Sequence, residues 1–376
     1  MADVTPNEVI RALGFEPEVR RLRQHLDAWV ADADPDMRPM LRLQFGGGSK
    51  FFRPLTVFAC HRAVSDRPLP EAVLVAALAV ELFHNVTLII DDLVDNSPSR
   101  RGRPTQHTQY NPLTAWMVAG YIDAAATEML LSAPFSEPAA EAPALPPAAR
   151  GQPGAKDATS TTRLAPRGFD TRRAWPSIEA AGPVRFDLRL LAELKRRLAI
   201  AECVQWENRK DGALRGGCQR AGRLLGISDW RYLAREDTGS MFEVCACLGA
   251  RTQRFRRLGR LLGMLYHGCD DVADVQALER LGGGGDADLD DGILTLPASL
   301  AIRRSDRVRD VYAKDRRTPA ERDLLRRALV DELPHASREL DEIRQQVERE
   351  AQALNVRNRK QFADLIEQVR QLAPAT

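Results

Sequence analysis

Lysine is almost missing from this chain. Of its 54 basic residues only six are lysine (Lys50, Lys156, Lys195, Lys210, Lys314 and Lys360). The bias reflects genome composition, and it makes Lys50, inside a glycine-rich segment, stand out. Surplus charge is lacking too: 54 basic against 52 acidic residues leave a net charge of +2, which gives no reason to invoke a nucleic-acid partner. No Cys-x-x-Cys pair exists among Cys60, Cys203, Cys218, Cys245, Cys247 and Cys269. That argues against a zinc site or a disulfide framework and for small buried thiols in a reducing cytosol. The opening MADVTPNEVI lacks the basic-then-apolar layout of a secretory leader, so a cytoplasmic location is expected. The longest apolar run, residues 72–90, is interrupted by Glu81, His84 and Asn85 and closed by aspartates. It reads as a buried core helix and not a membrane span.

What is present is helical periodicity. Amphipathic or apolar patterns cover residues 8–32, 37–43, 53–65, 70–95, 112–131, 186–209, 224–233 and 320–372. Asp34-Pro35 and Ser97-Pro98 punctuate them. Residues 133–183 break the pattern: Ala, Pro, Ser, Thr, Gly and Arg without apolar period predict a disordered insert. The expected organisation is therefore one helical domain in two halves, 1–132 and 184–376, flanking that insert.

The chemistry centres on Asp91-Asp92-Leu93-Val94-Asp95, at the end of the apolar run. In a helix Asp91 and Asp95 lie one turn apart on one face, with Asp92 beside them. Their repulsion is relieved by a hard cation such as Mg²⁺, which takes oxygen ligands and carries phosphate. One such string is equally compatible with a solvated acidic turn. A second, Asp270-Asp271-Val272-Ala273-Asp274, again follows a largely apolar run. Two acidic walls across an apolar cavity suit a substrate with a polyanionic head and a greasy tail. Arg100-Arg101 adds forked donors for phosphate; alone it would read as a solvated loop. Gly46-Gly47-Gly48-Ser49-Lys50 lacks the Gly-Lys-Ser/Thr of a nucleotide P-loop. It reads either as a flexible turn or as a loop that lets phosphate approach Lys50 and Arg53. His84, on an apolar helix, fits a core residue as well as a ligand. Asp286, Asp288 and Asp290 imitate a calcium loop, but the glycine comes one place late and no closing glutamate follows.

Together the strings DDLVDNSPSRRGRPTQH, CDDVADV, GGGSKFFRP and GILTLP resemble, in order, the motifs of the trans-isoprenyl diphosphate synthases, the polyprenyl synthetase family. The resemblance implies an all-α fold, an antiparallel helical bundle around a central cavity (the isoprenoid synthase fold), usually as a homodimer. It implies catalytic Asp91, Asp92, Asp95, Asp270, Asp271 and Asp274, with Mg²⁺ on Asp91, Asp95, Asp270 and Asp274. Lys50, Arg53, His84 and Arg101 would hold isopentenyl diphosphate. Arg100 would assist the leaving diphosphate, and Thr238 and Gln205 match further substrate-binding positions. The implied activity joins the two substrates into a longer trans-polyprenyl diphosphate. Val86 and Thr87, below the first motif, are not aromatic, which implies geranylgeranyl length or more.

The chain also departs from the family pattern. Phe51 replaces an arginine, Asn208 an aspartate, Asp237 and Ile293 two diphosphate-binding lysines, and His267 a glutamine. Arg209 or Arg235 would restore the lost charge if directed inward. These departures keep two alternatives open: a terpene cyclase acting on one prenyl diphosphate, and a non-catalytic regulatory partner of an active homologue.

Overall fold

The computed structural model describes residues 6–47, 49–100, 102–132, 183–206, 226–281, 289, 292–314 and 316–373. The Asp286–Asp290 loop lies outside them apart from Leu289, and so does the expected insert except Pro183. Helices dominate what is described. In order they are α1 (Pro6–Leu13), α2 (Glu16–Asp32), α3 (Arg38–Phe45), α4 (Phe52–Val64), α5 (Glu71–Val94), α6 (Gln106–Gln109), α7 (Pro112–Ser132), α8 (Pro183–Trp206), α9 (Ile227–Glu236) and α10 (Thr238–Ala250). Then come α11 (Arg256–Leu281), α12 (Leu296–Arg304), α13 (Asp306–Tyr312), α14 (Pro319–Asp331), α15 (Leu333–Ala353) and α16 (Arg359–Arg370). The strands described are β1 (Ser99–Arg100) and β2 (Arg103–Pro104), an antiparallel pair with Arg100 opposite Arg103.

The centre is built from α4, α5, α10 and α11. Without Gly or Pro to interrupt it, α5 runs for 24 residues. It is long and apolar enough to cross a membrane, but 78% of its most apolar window is buried among the other helices. That surface is spent on the core, where each fully buried large apolar side chain contributes roughly 1.5–3 kcal/mol. Helix α10 is buried from Gly239 to Ala250. Its close approach to α11 needs glycine: a Cβ on Gly263 would stand 2.7 Å from both the Gly239 Cα and the Thr238 carbonyl oxygen. One turn further along α11 this approach sets His267 against Thr238.

A buried charge locks the same helices. Glu243 of α10 is 0% exposed. It accepts from Arg197 of α8 at 3.0 Å and from Arg256 and Arg260 of α11 at 2.6 and 2.8 Å. Burial pushes its carboxyl up, but the three arginines outweigh that and hold it below the ordinary glutamate value. Removing one member of such a cluster leaves uncompensated buried charge, so the cluster fixes the mutual placement of α8, α10 and α11.

The four described cysteines outside α8 (Cys60, Cys245, Cys247, Cys269) are buried, Cys203 is half-buried, and all five are free thiols.

Candidate active site

The first acidic motif ends α5. Asp91 is half-buried, Asp92 buried and Asp95 exposed. The Asp95 N–H donates to the Asp91 carbonyl at 2.8 Å, so the two side chains are one turn apart, as the spacing predicts. The helix stops where Asn96 takes a φ of 51°, a left-handed conformation that asparagine tolerates better than most residues. The hairpin β1–β2 then turns back, and Arg100 Nε donates to Asp92 Oδ1 at 2.7 Å. Asp92 is thus held by an arginine. Burial raises its carboxyl in spite of that arginine. Asp91 goes further: burial first, then the charges of Asp237, Asp95 and Asp92, push it up to about 7 against the pull of Arg100. The influence of Asp237 puts the start of α10 across from the end of α5.

The second motif lies on α11. Asp270 and Asp274 are exposed, one turn apart. Asp271 is committed elsewhere: its Oδ2 accepts from the Trp230 indole N–H at 2.7 Å and from the Leu296 backbone N–H at 2.8 Å. It ties α9 and α12 to α11.

Asp237 and His267 fill the space between the walls. The Asp237 Oδ2 accepts from the Thr238 hydroxyl at 3.2 Å and lies 3.5 Å from His267 Nδ1. His267 Nδ1 is also 3.0 Å from Thr238 Oγ1, and its Nε2 is 4.0 Å from Asp271 Oδ1. Burial pulls the imidazole down, but Asp271, Asp237 and Asp270 outweigh it and raise His267 to about 9. Burial pushes Asp237 up, and His267, Thr238 and Arg53 more than reverse it, leaving the carboxyl below its ordinary value. The lysine and glutamine expected at these positions are therefore replaced by one interlocked acid–base pair.

The remaining expected residues divide. Lys50 is exposed on its loop, and His84 is buried in α5 beside Thr87, whose hydroxyl donates to the His84 carbonyl at 2.8 Å. Arg53 packs against α10 and α11. Its Nε contacts Met241 Sδ at 2.8 Å, and its guanidinium stands 5.8 Å from the Phe242 and Tyr266 rings, on the side facing Asp237. Just before α4, Phe51 has a φ of 54° and tucks into the core. Gln205 is half-buried near the end of α8; Arg101, Asn208 and Arg209 lie outside the described residues. Arg235 does not restore the lost charge, since it donates to Glu236 at 2.7 Å and stacks 5.5 Å over Tyr232. Sequence reasoning overlooked Arg103 and Trp230. Arg103 could have been noticed as the third arginine of Arg100-Arg101-Gly102-Arg103; the indole bond to Asp271 has no sequence signal.

Among the described residues no three His, Cys, Asp or Glu side chains stand close enough to chelate an ion alone. The hard oxygen donors are two pairs, Asp91 with Asp95 and Asp270 with Asp274. The crowding that drives Asp91 toward its neutral form is what a divalent cation relieves, so the donor set fits Mg²⁺.

Two helices bearing acidic motifs, joined through buried α10 in an otherwise helical body, define an isoprenoid synthase fold. Its solved counterparts include the heptaprenyl diphosphate synthase of Staphylococcus aureus (TM-score 0.70, 18% identity, covering 96% of this chain and 98% of that one). Another is a polyprenyl synthase of Caulobacter crescentus complexed with calcium and isoprenyl diphosphate (TM-score 0.69, 19% identity, 99% and 98% covered). The polyprenyl synthetase family model matches residues 35–144. That match spans the first acidic motif and the hairpin after it, and it supports the polyprenyl synthetase family. Similar curated proteins include the nonaprenyl diphosphate synthase of Mycobacterium tuberculosis, 24% identical over 315 residues (81% of this chain, 75% of that protein). The geranylgeranyl diphosphate synthase of Methanosarcina mazei is 26% identical over 320 residues (84% and 83%).

Proposed function

We propose that this chain is a Mg²⁺-dependent trans-prenyltransferase that condenses an allylic diphosphate with isopentenyl diphosphate, giving a trans-polyprenyl diphosphate of geranylgeranyl length or longer. The observation that carries this is the state of Asp91: a half-buried carboxylate raised to about 7 by burial and by Asp237, at the edge of an apolar core. Such a group is completed by a cation and a polyanion. Mg²⁺ on Asp91, Asp95, Asp270 and Asp274 would supply Lewis-acid stabilisation to the departing diphosphate.

The chain's own residues do the rest. Arg100 sits close enough to lower both Asp91 and Asp92 and places a fixed positive charge where leaving-group charge develops. Arg53 and His267 flank Asp237 and offset its negative charge, so that a diphosphate can approach the start of α10. The apolar packing of α5 and α10 keeps water from the allylic cation. The double bond of isopentenyl diphosphate then attacks that cation, and the new tertiary cation loses a proton.

The expected homodimer finds support in α7, where Leu113, Trp116 and Met117 are 69%, 52% and 60% exposed on one face. Free, buried cysteines agree with a cytoplasmic location.

A second reading is favoured by the Asp237–His267 pair, which takes the place of a diphosphate-binding lysine: a cyclase acting on one prenyl diphosphate. Incubation with Mg²⁺ and allylic diphosphates, with and without isopentenyl diphosphate, separates the readings. Longer diphosphates formed only when it is added support condensation. Hydrocarbons or alcohols formed without it would sink condensation in favour of cyclisation. No turnover alone, with altered products from a co-expressed homologue, would mark a regulatory subunit.

A further inference from the structure

Beside the second acidic motif a small apolar cavity separates α11 from the chain that leads into α12. Asp274 and Val275 of α11 line one side, and Leu289, Ile293 and Thr295 the other. Three hydrogen bonds tie that chain down. At its far end the Leu296 N–H donates to Asp271 of α11 at 2.8 Å. In its middle the hydroxyl of Tyr312, the last residue of α13, donates to the Ile293 carbonyl at 2.5 Å. At its near end Arg317, in the connection between α13 and α14, donates from Nη1 to the Leu289 carbonyl. The same guanidinium donates from Nη2 to the Tyr312 carbonyl at 2.7 Å and from Nε to the Val311 carbonyl at 3.2 Å, and it lies 5.2 Å over the Tyr312 ring. Tyr312 and Arg317 are both buried. Burying a guanidinium is expensive unless its donors are met, so a cation spent on three backbone carbonyls marks a backbone that is held on purpose. Next to it Thr318 and Glu321 form the capping box that starts α14, which fixes where Arg317 leaves the chain.

We propose that Tyr312 and Arg317 are positioning residues for the second acidic wall: they brace Ile293 and Leu289 against Asp274 and so fix the direction of its carboxylate toward a divalent cation. This rests on the assignment of Mg²⁺ to Asp274 proposed above. A carboxylate near a helix surface samples several rotamers unless its neighbours are fixed. A lysine at position 293 would be ordered by the diphosphate it binds. Ile293 carries no charge and is not ordered that way, so its order comes from the protein. Tyr312 and Arg317 act on carbonyls and not on side chains, and their hold is therefore the same whichever residue stands at 293. The isoleucine adds an apolar flank beside the carboxylate, where attraction between charges is less screened than in open water.

The test is a double-mutant cycle on the full chain, read by titration with Mn²⁺ in the presence of inorganic pyrophosphate, with free Mn²⁺ followed by electron paramagnetic resonance. Wild type, Tyr312→Phe, Asp274→Asn and the double variant are compared. Tyr312→Phe should weaken Mn²⁺ binding by about three- to tenfold, the loss expected when one hydrogen bond that orients a ligand is removed. In the Asp274→Asn background the same change should alter affinity by less than about twofold, because the carboxylate it directs is gone. Hydrogen exchange followed by mass spectrometry supplies a readout without metal: the Leu296 amide, bonded to Asp271, should exchange faster in Tyr312→Phe. Unchanged Mn²⁺ affinity in Tyr312→Phe overturns the proposal, and so does an equal loss in both backgrounds, which would mark a general structural defect. A wild type that binds Mn²⁺ no more tightly than Asp274→Asn overturns the metal assignment of Asp274 itself, and the proposal with it. Should Tyr312→Phe not fold, the same comparisons on Arg317→Lys, which keeps the charge and gives up the reach to three carbonyls, decide the matter.

Discussion

Asp237 and His267 stand 3.5 Å apart, Oδ2 to Nδ1, although one joins α9 to α10 and the other lies on α11, and neither is the residue its motif calls for. Asp271 and Asp270 add to the field that raises the imidazole to about 9. The ring thus gains a proton-stabilising site on folding, and its pKa is raised above the ordinary value of 6.5. The stability this contributes is fully present below about 6.5 and is lost as pH rises through about 9. Its size is on the order of 3 kcal/mol. The melting temperature of wild type should therefore fall between neutral and mildly alkaline pH, and His267→Gln should flatten that fall. Parallel profiles for the two proteins would count against the pair. Asp237 works in the opposite sense: its lowered carboxyl contributes above the unfolded aspartate range and is lost in acid.

The raised carboxyl of Asp91 carries a second expectation. With a value of about 7, it is largely protonated in mild acid, and a metal ion must displace that proton. Apparent Mg²⁺ affinity should rise as pH climbs toward 7, with proton release visible as a dependence of the binding heat on buffer ionisation enthalpy. Asp237→Asn removes the largest charge acting on Asp91 and should move the midpoint to lower pH. Binding that is indifferent to pH across this range would contradict the electrostatics.

Product length should respond to Phe83. Asp91, Thr87 and Phe83 follow one another at helical spacing on α5, so Phe83 lies about 12 Å below the acidic motif, at 1.5 Å per residue. It is the first aromatic on that face, buried, with Lys195 5.4 Å over its ring. Phe83→Ala should lengthen the products, read by mass spectrometry after dephosphorylation, at a stability cost of roughly 3 kcal/mol or more. An unchanged product distribution from a folded variant would place the chain-length floor elsewhere.

For the dimer, Trp116→Glu with Met117→Glu puts two charges on the exposed face of α7 without touching the core. Light scattering should report a shift from dimer to monomer at micromolar concentration. A variant that keeps wild-type mass would clear α7 of that role.

Much of the fold could be read from the chain. The helices were legible because α5 and α8 are long and free of internal breakers, and the aspartate motifs because their spacing is local. What escaped was non-local. Asp237 and His267 read singly as two losses, since twenty-nine intervening positions hide that they compensate. The packing of Arg53 against Met241, Phe242 and Tyr266 was hidden as well, because sequence adjacency does not show contacts between helices. Trp230 gave no hint of its bond to Asp271, which depends on how α9 lies across α11.

Gly263 touches no proposed ligand, yet its missing side chain sets the distance between the helix that begins at Thr238 and the helix that carries Asp270. A single added methyl there would act as a wedge, parting the imidazole from its carboxylate and moving one acidic rim away from the other. Tolerance to substitution along α11 should therefore be low at positions with no functional group at all.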